Sequence, residues 1–171
     1  EIYSKNADFD GVELWSHLLE KGASAGLMGS DVSSMHIRRI EAGILDYGTD
    51  IDQTINPFEI GLERLVDLEK TNFIGQKALM KTNKKSIRLM GLLCEGASLT
   101  RGDKLLESGG QDIGFVSAGA WSPYLKSGVG LIRLNESKPH DYPLRVMTSS
   151  GKFDAKVIDL PFYDPKKLLA R

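Results

Sequence analysis

The sequence predicts an α+β fold in which a part containing helices is followed by a small all-β barrel or sandwich. Two amphipathic helices with capping residues stand in the first part. From about residue 86 the chain changes to short apolar runs separated by glycine, proline, serine or asparagine turns. The polar run "TNKKS" lies between the helical part and the part with short strand-like runs, so we expect domains at residues 1–83 and 84–171.

The first part is predicted to run strand, helix, short strand or loop, helix. The opening "EIYSKN" alternates like a strand and has no methionine or leader, so we expect the chain to begin inside a fold. Asp10 is predicted to cap a helix that ends at Gly22. "ASAGLMG" then predicts a short buried strand or a loop, and a second helix is predicted from Ser30-Asp31 to near Gly43.

The remaining elements are shorter. "FIGQKALMK" predicts one short helix. Five or six strands are predicted after it, from the runs "IRLMGLLCEG", "DIGFVSAGA", "GVGLIRL", "YPLRVMT" and "GKFDAKVIDL". The segment between the second and third of these runs is expected to expose Trp121 and Tyr124 or to form a packed hairpin.

Composition excludes several classes of function. With 22 basic and 23 acidic residues, no field of one sign indicates a nucleic-acid or membrane-surface partner. No apolar run approaches the roughly 20 residues of a membrane helix. The single cysteine, Cys94, excludes an internal disulfide and is compatible with a reducing compartment, so we expect a cytoplasmic protein. The three histidines are too scattered to predict a metal site.

One carboxylate stands out from this background. On a helix, Glu41 would share a face with Ile37 and Ile44, which places a charge in an apolar stripe. A carboxylate there could accept two parallel N–H donors, from a guanidinium or from the 2-amino-4-oxo edge of a pterin. The alternatives are an ordinary ion pair with Arg38 or a solvent-facing residue. Tyr47, in the following turn, could line a pocket or cover the core.

Several segments in order resemble one family. "SDVSSMHIRRIEAGILDYGTDID", "NPFEIGL" and "FIGQKAL" resemble the folate-binding domain of the aminomethyltransferase family. That family includes the glycine cleavage T-protein, dimethylsulfoniopropionate demethylase and the folate-binding portions of dimethylglycine and sarcosine dehydrogenases. "MGLLCEG", "IGFVSAGAWSPYLKSGVGL" and "LPF" resemble its C-terminal barrel, so the resemblance covers essentially the whole chain.

The resemblance implies a tetrahydrofolate-dependent transferase of aminomethyl or methyl groups. Glu41 matches the family glutamate that binds the pterin, and Tyr47 falls in the turn beside that pocket. Lys70 and Arg88 lie near family arginines and are weaker matches. The family's catalytic aspartate belongs to an N-terminal half that these 171 residues do not include. The implied partners are that half, folate, and a small one-carbon donor or a lipoyl carrier protein.

Two other functions within the family stay open. One is a non-catalytic folate-binding protein of the iron–sulfur-assembly branch, although "KTNFIGQK" lacks the cysteine of that branch's signature. The other is the folate-binding module of a dimethylglycine or sarcosine dehydrogenase. Thinning of the basic cluster before "FIG" favours a demethylase-like relative over a T-protein proper.

Overall fold

The computed structural model describes residues 3, 5, 8–71, 73–82, 86–166 and 168. The chain forms two compact units, Glu1–Ser34 and Met35–Arg171. The domain boundary predicted between residues 83 and 84 lies outside the described residues and stays a prediction. The strand predicted over residues 1–6 also falls mostly outside them.

The first unit contains helix α1, Gly11–Gly22. The Asp10 carboxylate accepts hydrogen bonds from the amides of Val12 and Glu13 at 2.9 and 3.0 Å, as predicted for an N-cap. A 3-10 turn follows at Ala23–Ala25. Gly26 then takes a left-handed φ of 76° and reverses the chain. The "ASAGLMG" segment is therefore a turn and an exposed loop, so the loop alternative is correct and the buried strand is wrong.

Helix α2, Val32–Glu41, ends in a way that fixes the position of Glu41. Gly43 has φ 66°, and the Ile44 amide reaches back to the Arg39 carbonyl at 2.8 Å. This is a Schellman end, which needs a left-handed residue and terminates the helix. Glu41 is thus the last helical residue. Ile44 lies beyond the helix and is 59% exposed, so the expectation that it shares a face with Glu41 is wrong.

Between α2 and the barrel the chain has little regular structure. It contains a 3-10 turn, Glu63–Leu65, and the short helix α3, Gln76–Leu79, which confirms the short helix predicted there. The Gln76 side-chain amide donates to the carbonyls of Leu68 and Lys70 at 2.7 and 2.9 Å, which holds the loop before α3. No helix in the described ranges is long and apolar enough to cross a membrane.

The second half is a closed antiparallel barrel, which confirms the predicted α+β fold with a barrel and excludes the sandwich. Its strands follow the order β1-β4-β3-β2-β5-β6 around the barrel. Closure leaves no strand edge exposed. Strand β2 was not predicted, because three residues are too few to show an alternation. The strands are β1 Leu89–Cys94, β2 Lys104–Leu106, β3 Asp112–Ser122, β4 Ser127–Leu134, β5 Pro143–Thr148 and β6 Gly151–Ile158.

Two apolar clusters use the two faces of the barrel wall. In β4, Ile132 and Leu134 belong to the larger cluster, whereas Val129 and Leu131 belong to a second cluster on the opposite face. The second cluster also contains Ile40, in the last turn of α2, which is fully buried. The end of α2 therefore packs against the outside of the barrel wall, one residue before Glu41.

A β-bulge in β3 directs a polar side chain toward the segment that precedes the barrel. The register of β3 against β4 shifts between Val116 and Ala118, which leaves Ser117 as the extra residue. The Ser117 hydroxyl donates to the buried Asp50 carboxylate at 2.7 Å. Asp50 also accepts from Arg39 at 2.7 Å and from the Asp46 amide at 2.9 Å.

The bond to Asp50 is one of a series that we call the acidic seam. Its members are carboxylates of the segment from residue 41 to residue 59, and each accepts a hydrogen bond from a barrel strand or from the residue just before β1. The pairs are Glu41 with Ser122, Asp50 with Ser117, Asp52 with Arg133, and Glu59 with Arg88.

Candidate functional site

The candidate site is built around the carboxylate of Glu41, which is only 4% exposed. Its Oε1 accepts a hydrogen bond from the Ser122 hydroxyl at 2.5 Å, and its Oε2 accepts one from the Tyr163 hydroxyl at 2.9 Å. Among the described residues no ion pair joins it to Arg38, and it does not face solvent. Both alternatives to a buried acceptor are therefore wrong, because two neutral hydroxyls satisfy the carboxylate instead.

Aromatic rings lie directly beside this carboxylate. The Tyr163 ring is 4.6 Å from the Tyr124 ring, centroid to centroid, at an angle of 43°. Tyr124 lies in the turn of the β3–β4 hairpin and is 66% exposed, while Trp121 is 39% exposed. Their exposure confirms the expectation for this segment, and the segment is also a hairpin. The site thus has one exposed aromatic face next to a buried charge.

The Tyr163 hydroxyl is a reliable hydrogen-bond donor. Burial, together with its hydrogen bond to Glu41, raises the pKa of Tyr163, although the charge of Arg38 opposes the change. The phenol therefore keeps its proton at neutral pH and donates a hydrogen bond to the carboxylate.

The arrangement favours ligands that donate hydrogen bonds. A carboxylate has about two lone-pair positions on each oxygen, and one position per oxygen is used by Ser122 or Tyr163. What remains is acceptor capacity on both oxygens, in one plane. A flat ligand with adjacent N–H donors matches that capacity, and the exposed ring of Tyr124 offers it an aromatic surface.

The other predicted site residues are Tyr47, Lys70 and Arg88. In the described part of the chain, no hydrogen bond, ion pair or ring contact joins Tyr47 or Lys70 to Glu41. Tyr47 is 68% exposed, so it is not a cover on the core, and Gly48 after it has a positive φ of 89°. Lys70 is also exposed.

Arg88 is held by protein groups. Its guanidinium donates to Glu59 at 2.9 Å and to the carbonyl of Leu134, the last residue of β4, at 2.8 Å. Although burial opposes it, hydrogen bonds from the Asn56 amide and from Arg88 lower the pKa of Glu59. The Glu59 carboxylate is consequently ionised at neutral pH, and its pairing with Arg88 fastens the segment before β1 to the end of β4.

Sequence reasoning missed the hydroxyl partners of Glu41. Ser122 is 81 residues away and Tyr163 is 122 residues away. Serine and tyrosine at such separations carry no local pattern, since neither a helical nor a strand period connects them to residue 41. Only Tyr124, which contacts the Tyr163 ring, was singled out.

Comparison with known proteins identifies relatives for both parts of the chain. The GCVT N-terminal domain family matches residues 1–70, and the glycine cleavage T-protein C-terminal barrel domain matches residues 88–164. A crystal structure of the glycine cleavage system aminomethyltransferase T from Bartonella henselae aligns with a TM-score of 0.76 and 23% identity, over 90% of this chain and 44% of that one. At this identity the likeness shows a shared fold.

Curated relatives carry the name aminomethyltransferase, a class of transferase enzyme. The Bacillus pumilus protein is 33% identical over 171 residues, 98% of this chain and 46% of that protein. The Halothermothrix orenii protein is 31% identical over 88% of this chain and 43% of that protein. The chain thus spans less than half the length of these relatives. With both domain families matched in order, the chain belongs to the aminomethyltransferase (glycine cleavage T-protein) family.

Proposed function

We propose that the chain is the C-terminal portion of a tetrahydrofolate-dependent transferase of aminomethyl or methyl groups, and that Glu41 holds the pterin. The observation that carries the proposal is the buried Glu41 carboxylate, fixed on both oxygens by hydroxyl donors and flanked by the Tyr124–Tyr163 pair. Family membership supports it, because the matched relatives are aminomethyltransferases.

The chemistry of the site fits this cofactor. The 2-amino-4-oxo edge of a pterin presents adjacent N–H donors in one plane, which suits the free acceptor positions of Glu41. The flat bicyclic ring suits contact with an exposed tyrosine such as Tyr124. When bound, tetrahydrofolate supplies the nitrogen that accepts the one-carbon unit. The part played by Glu41 is binding and orientation of the ring.

The remaining predicted residues have smaller proposed roles. Tyr47 is exposed and could border the ligand, and Lys70 is an exposed cation with no ion-pair partner among the described residues, suited to an anionic part of folate. Arg88 is committed to Glu59 and Leu134, so we propose that it acts by fixing the segment before β1.

We further propose that the reaction requires a portion of the protein related to the N-terminal half of the relatives. That portion would supply the catalytic aspartate and most contacts to the one-carbon donor, which is either a lipoyl-bound aminomethyl group or a methyl on sulfonium or ammonium. We prefer a demethylase-like specificity over that of a T-protein proper, because the basic cluster before "FIG" is thinned. The one cation there that we assign to folate is Lys70.

The proposal is tested by titrating tetrahydrofolate into two preparations by calorimetry. One is the 171-residue chain, and the other is a chimera with the N-terminal portion of one of these aminomethyltransferases joined upstream. Glu41→Gln replaces one acceptor with a donor, so the ligand's donors would face a donor. Because a charged hydrogen bond contributes about 1.5–3 kcal/mol, affinity should fall at least about tenfold.

Glu107→Gln is the matched control, since Glu107 also accepts a tyrosine hydroxyl, that of Tyr142 at 2.8 Å. It should leave tetrahydrofolate affinity unchanged. Unchanged affinity in Glu41→Gln, or no binding by either wild-type preparation, would overturn the proposal.

A further inference from the structure

Three segments of the second unit, Met35–Arg171, meet at Glu41. It is the last residue of α2, Ser122 is the last residue of β3, and Tyr163 lies in the segment after β6. The segment after β6 is attached twice at this point. The Phe162 amide donates to the Glu41 carbonyl at 3.0 Å, and the Tyr163 hydroxyl donates to the Glu41 side chain.

The direction of the Ser122 hydrogen bond is set by its surroundings. The Leu125 amide donates to the Ser122 oxygen at 3.0 Å, which occupies an acceptor position of the hydroxyl. The single hydroxyl proton is then available for Glu41 Oε1. Ser122 is fully buried, so no water competes for that proton.

Both carboxylate oxygens are therefore held by donors on different elements. One donor on each oxygen fixes the plane of the carboxylate, and a rotation about the last side-chain bond would break both hydrogen bonds. A buried group held in this way has little freedom to adapt to a ligand.

We propose that Tyr163 and Ser122 are positioning residues that hold Glu41 as a two-oxygen acceptor and so make the site selective for a ring edge with two N–H donors. The 2-amino-4-oxo pyrimidine edge is selected over the same ring without its 2-amino donors. The inference rests on the proposed function, because it assigns the pterin edge to Glu41.

The selectivity follows from what the fixed carboxylate lacks. It has no donor of its own, and its neighbouring hydroxyl protons are already used. An edge that offers an acceptor or an apolar group in place of an N–H leaves the second acceptor position of a buried carboxylate oxygen unused and covered by the ligand. A carboxylate free to rotate could turn that oxygen to another donor, so the penalty depends on the two hydroxyls.

The test measures the Kd of two ligands for the wild type and for variants that lack one hydroxyl. It uses whichever of the two preparations binds tetrahydrofolate more tightly. The ligands are tetrahydrofolate and its analogue with a methyl group in place of the 2-amino group. Tyr163→Phe removes the hydroxyl and keeps the ring that contacts Tyr124. It should raise the Kd for tetrahydrofolate about five- to tenfold and the Kd for the analogue by less than about twofold. Ser122→Ala should act in the same direction.

Matched controls remove equivalent hydroxyls elsewhere on the barrel. Tyr142→Phe deletes a tyrosine hydroxyl that donates to Glu107, and Ser127→Ala deletes a buried serine hydroxyl that donates to the Cys94 carbonyl at 2.8 Å. Both should leave the ratio of the two Kd values unchanged.

The outcomes separate this inference from the proposed function. If Glu41→Gln weakens tetrahydrofolate binding while Tyr163→Phe changes neither Kd, or changes both Kd values equally, the positioning role is wrong and the proposed function stands. If Glu41→Gln itself leaves the tetrahydrofolate Kd unchanged, the proposed function is wrong and this inference falls with it. Tyr163→Phe alone decides the matter if Ser122→Ala does not fold.

Discussion

The barrel and the segment that precedes it in the same unit are stabilised in different ways. The barrel has a closed ladder of backbone hydrogen bonds around a cluster of buried apolar side chains that includes Leu92, Leu105 and Val146. The segment from residue 41 to residue 59 has little regular secondary structure, and its hydrogen bonds to the barrel include those of the acidic seam.

The difference shows where this fold can place chemistry. An apolar core depends on volume, so its side chains can be exchanged for others of similar size and offer no polar group to a ligand. A buried carboxylate needs a donor on each oxygen, and it offers spare acceptor positions. In this chain Glu41 and Asp50 are both buried, but Asp50 also pairs with an arginine, whereas the partners of Glu41 among the described residues are neutral hydroxyls. This difference supports our proposal that Glu41 is the member of the seam that binds the ligand.

The largest effect is expected from the barrel core. Leu92 is fully buried in the strand that pairs with both β4 and β6. Leu92→Ala should lower the free energy of unfolding by about 2–5 kcal/mol, since it loses buried methyl groups and leaves a cavity. Urea unfolding followed by circular dichroism measures it. Leu65→Ala, at a position 64% exposed, is the control and should change little. Similar losses in both variants would contradict a barrel-centred core.

A smaller effect is expected from the seam. Asp50→Asn weakens an ion pair with Arg39 and puts an amide where three donors converge. We expect the free energy of unfolding to fall by about 2–4 kcal/mol. This is below the top of the range for a broken buried ion pair, because the Arg39 side chain is 19% exposed. Asp154→Asn, whose side chain is 91% exposed although it pairs with Arg145, should leave the free energy of unfolding unchanged. Equal stability of the Asp50 and Asp154 variants would mean that the seam does not hold the segment.

The Glu59–Arg88 pair should show a modest coupling. The two side chains are 15% and 31% exposed, so solvent screens part of their attraction. A double-mutant cycle with Glu59→Gln and Arg88→Met should give about 0.5–1.5 kcal/mol of coupling in the free energy of unfolding. Additive effects of the two substitutions would contradict the role proposed for Arg88.

The smallest effect is expected from Asp52, whose contribution to stability should be lost at low pH. Hydrogen bonds from the Thr54 hydroxyl and amide, and then from Arg133, lower the pKa of Asp52 to about 2 from its ordinary 3.8. A lowered pKa stabilises the folded state above the unfolded pKa, and that contribution is lost as the pH falls from about 4 toward 2. The difference in Tm between wild type and Asp52→Asn should therefore narrow across this window. A constant difference from pH 5 to pH 2 would show that Asp52 does not act through its charge.

The sequence predicted those helices and strands that are determined by residues close together in the chain. Asp10 and Gly22 bound α1 as expected, and the predicted barrel strands are present, because caps, turns and alternation lie within a few residues of each other. The sequence did not reveal β2, which is only three residues long, or the exposure of Ile44, which depends on the Schellman end at Gly43.

The candidate site was predicted only in part. Glu41 was singled out because it was expected in an apolar stripe with Ile37 and Ile44; it is buried, but Ile44 is exposed and the partners of the carboxylate are hydroxyls. Its partners depend on barrel closure, which brings residues 122 and 163 to the end of α2. No spacing rule contains that information. The pterin contact itself stays a prediction for Glu41, Tyr47, Lys70 and Arg88.

The most direct test of the proposed role of Glu41 compares tetrahydrofolate affinity in two seam variants, Glu41→Gln and Asp50→Asn, at a temperature where circular dichroism shows both to be folded. Both substitutions turn a buried carboxylate into an amide, but only Glu41 is assigned to the ligand. We predict a loss of at least about tenfold in affinity for Glu41→Gln and a change within about twofold for Asp50→Asn. Equal losses in the two variants, or full affinity in Glu41→Gln, would contradict that role.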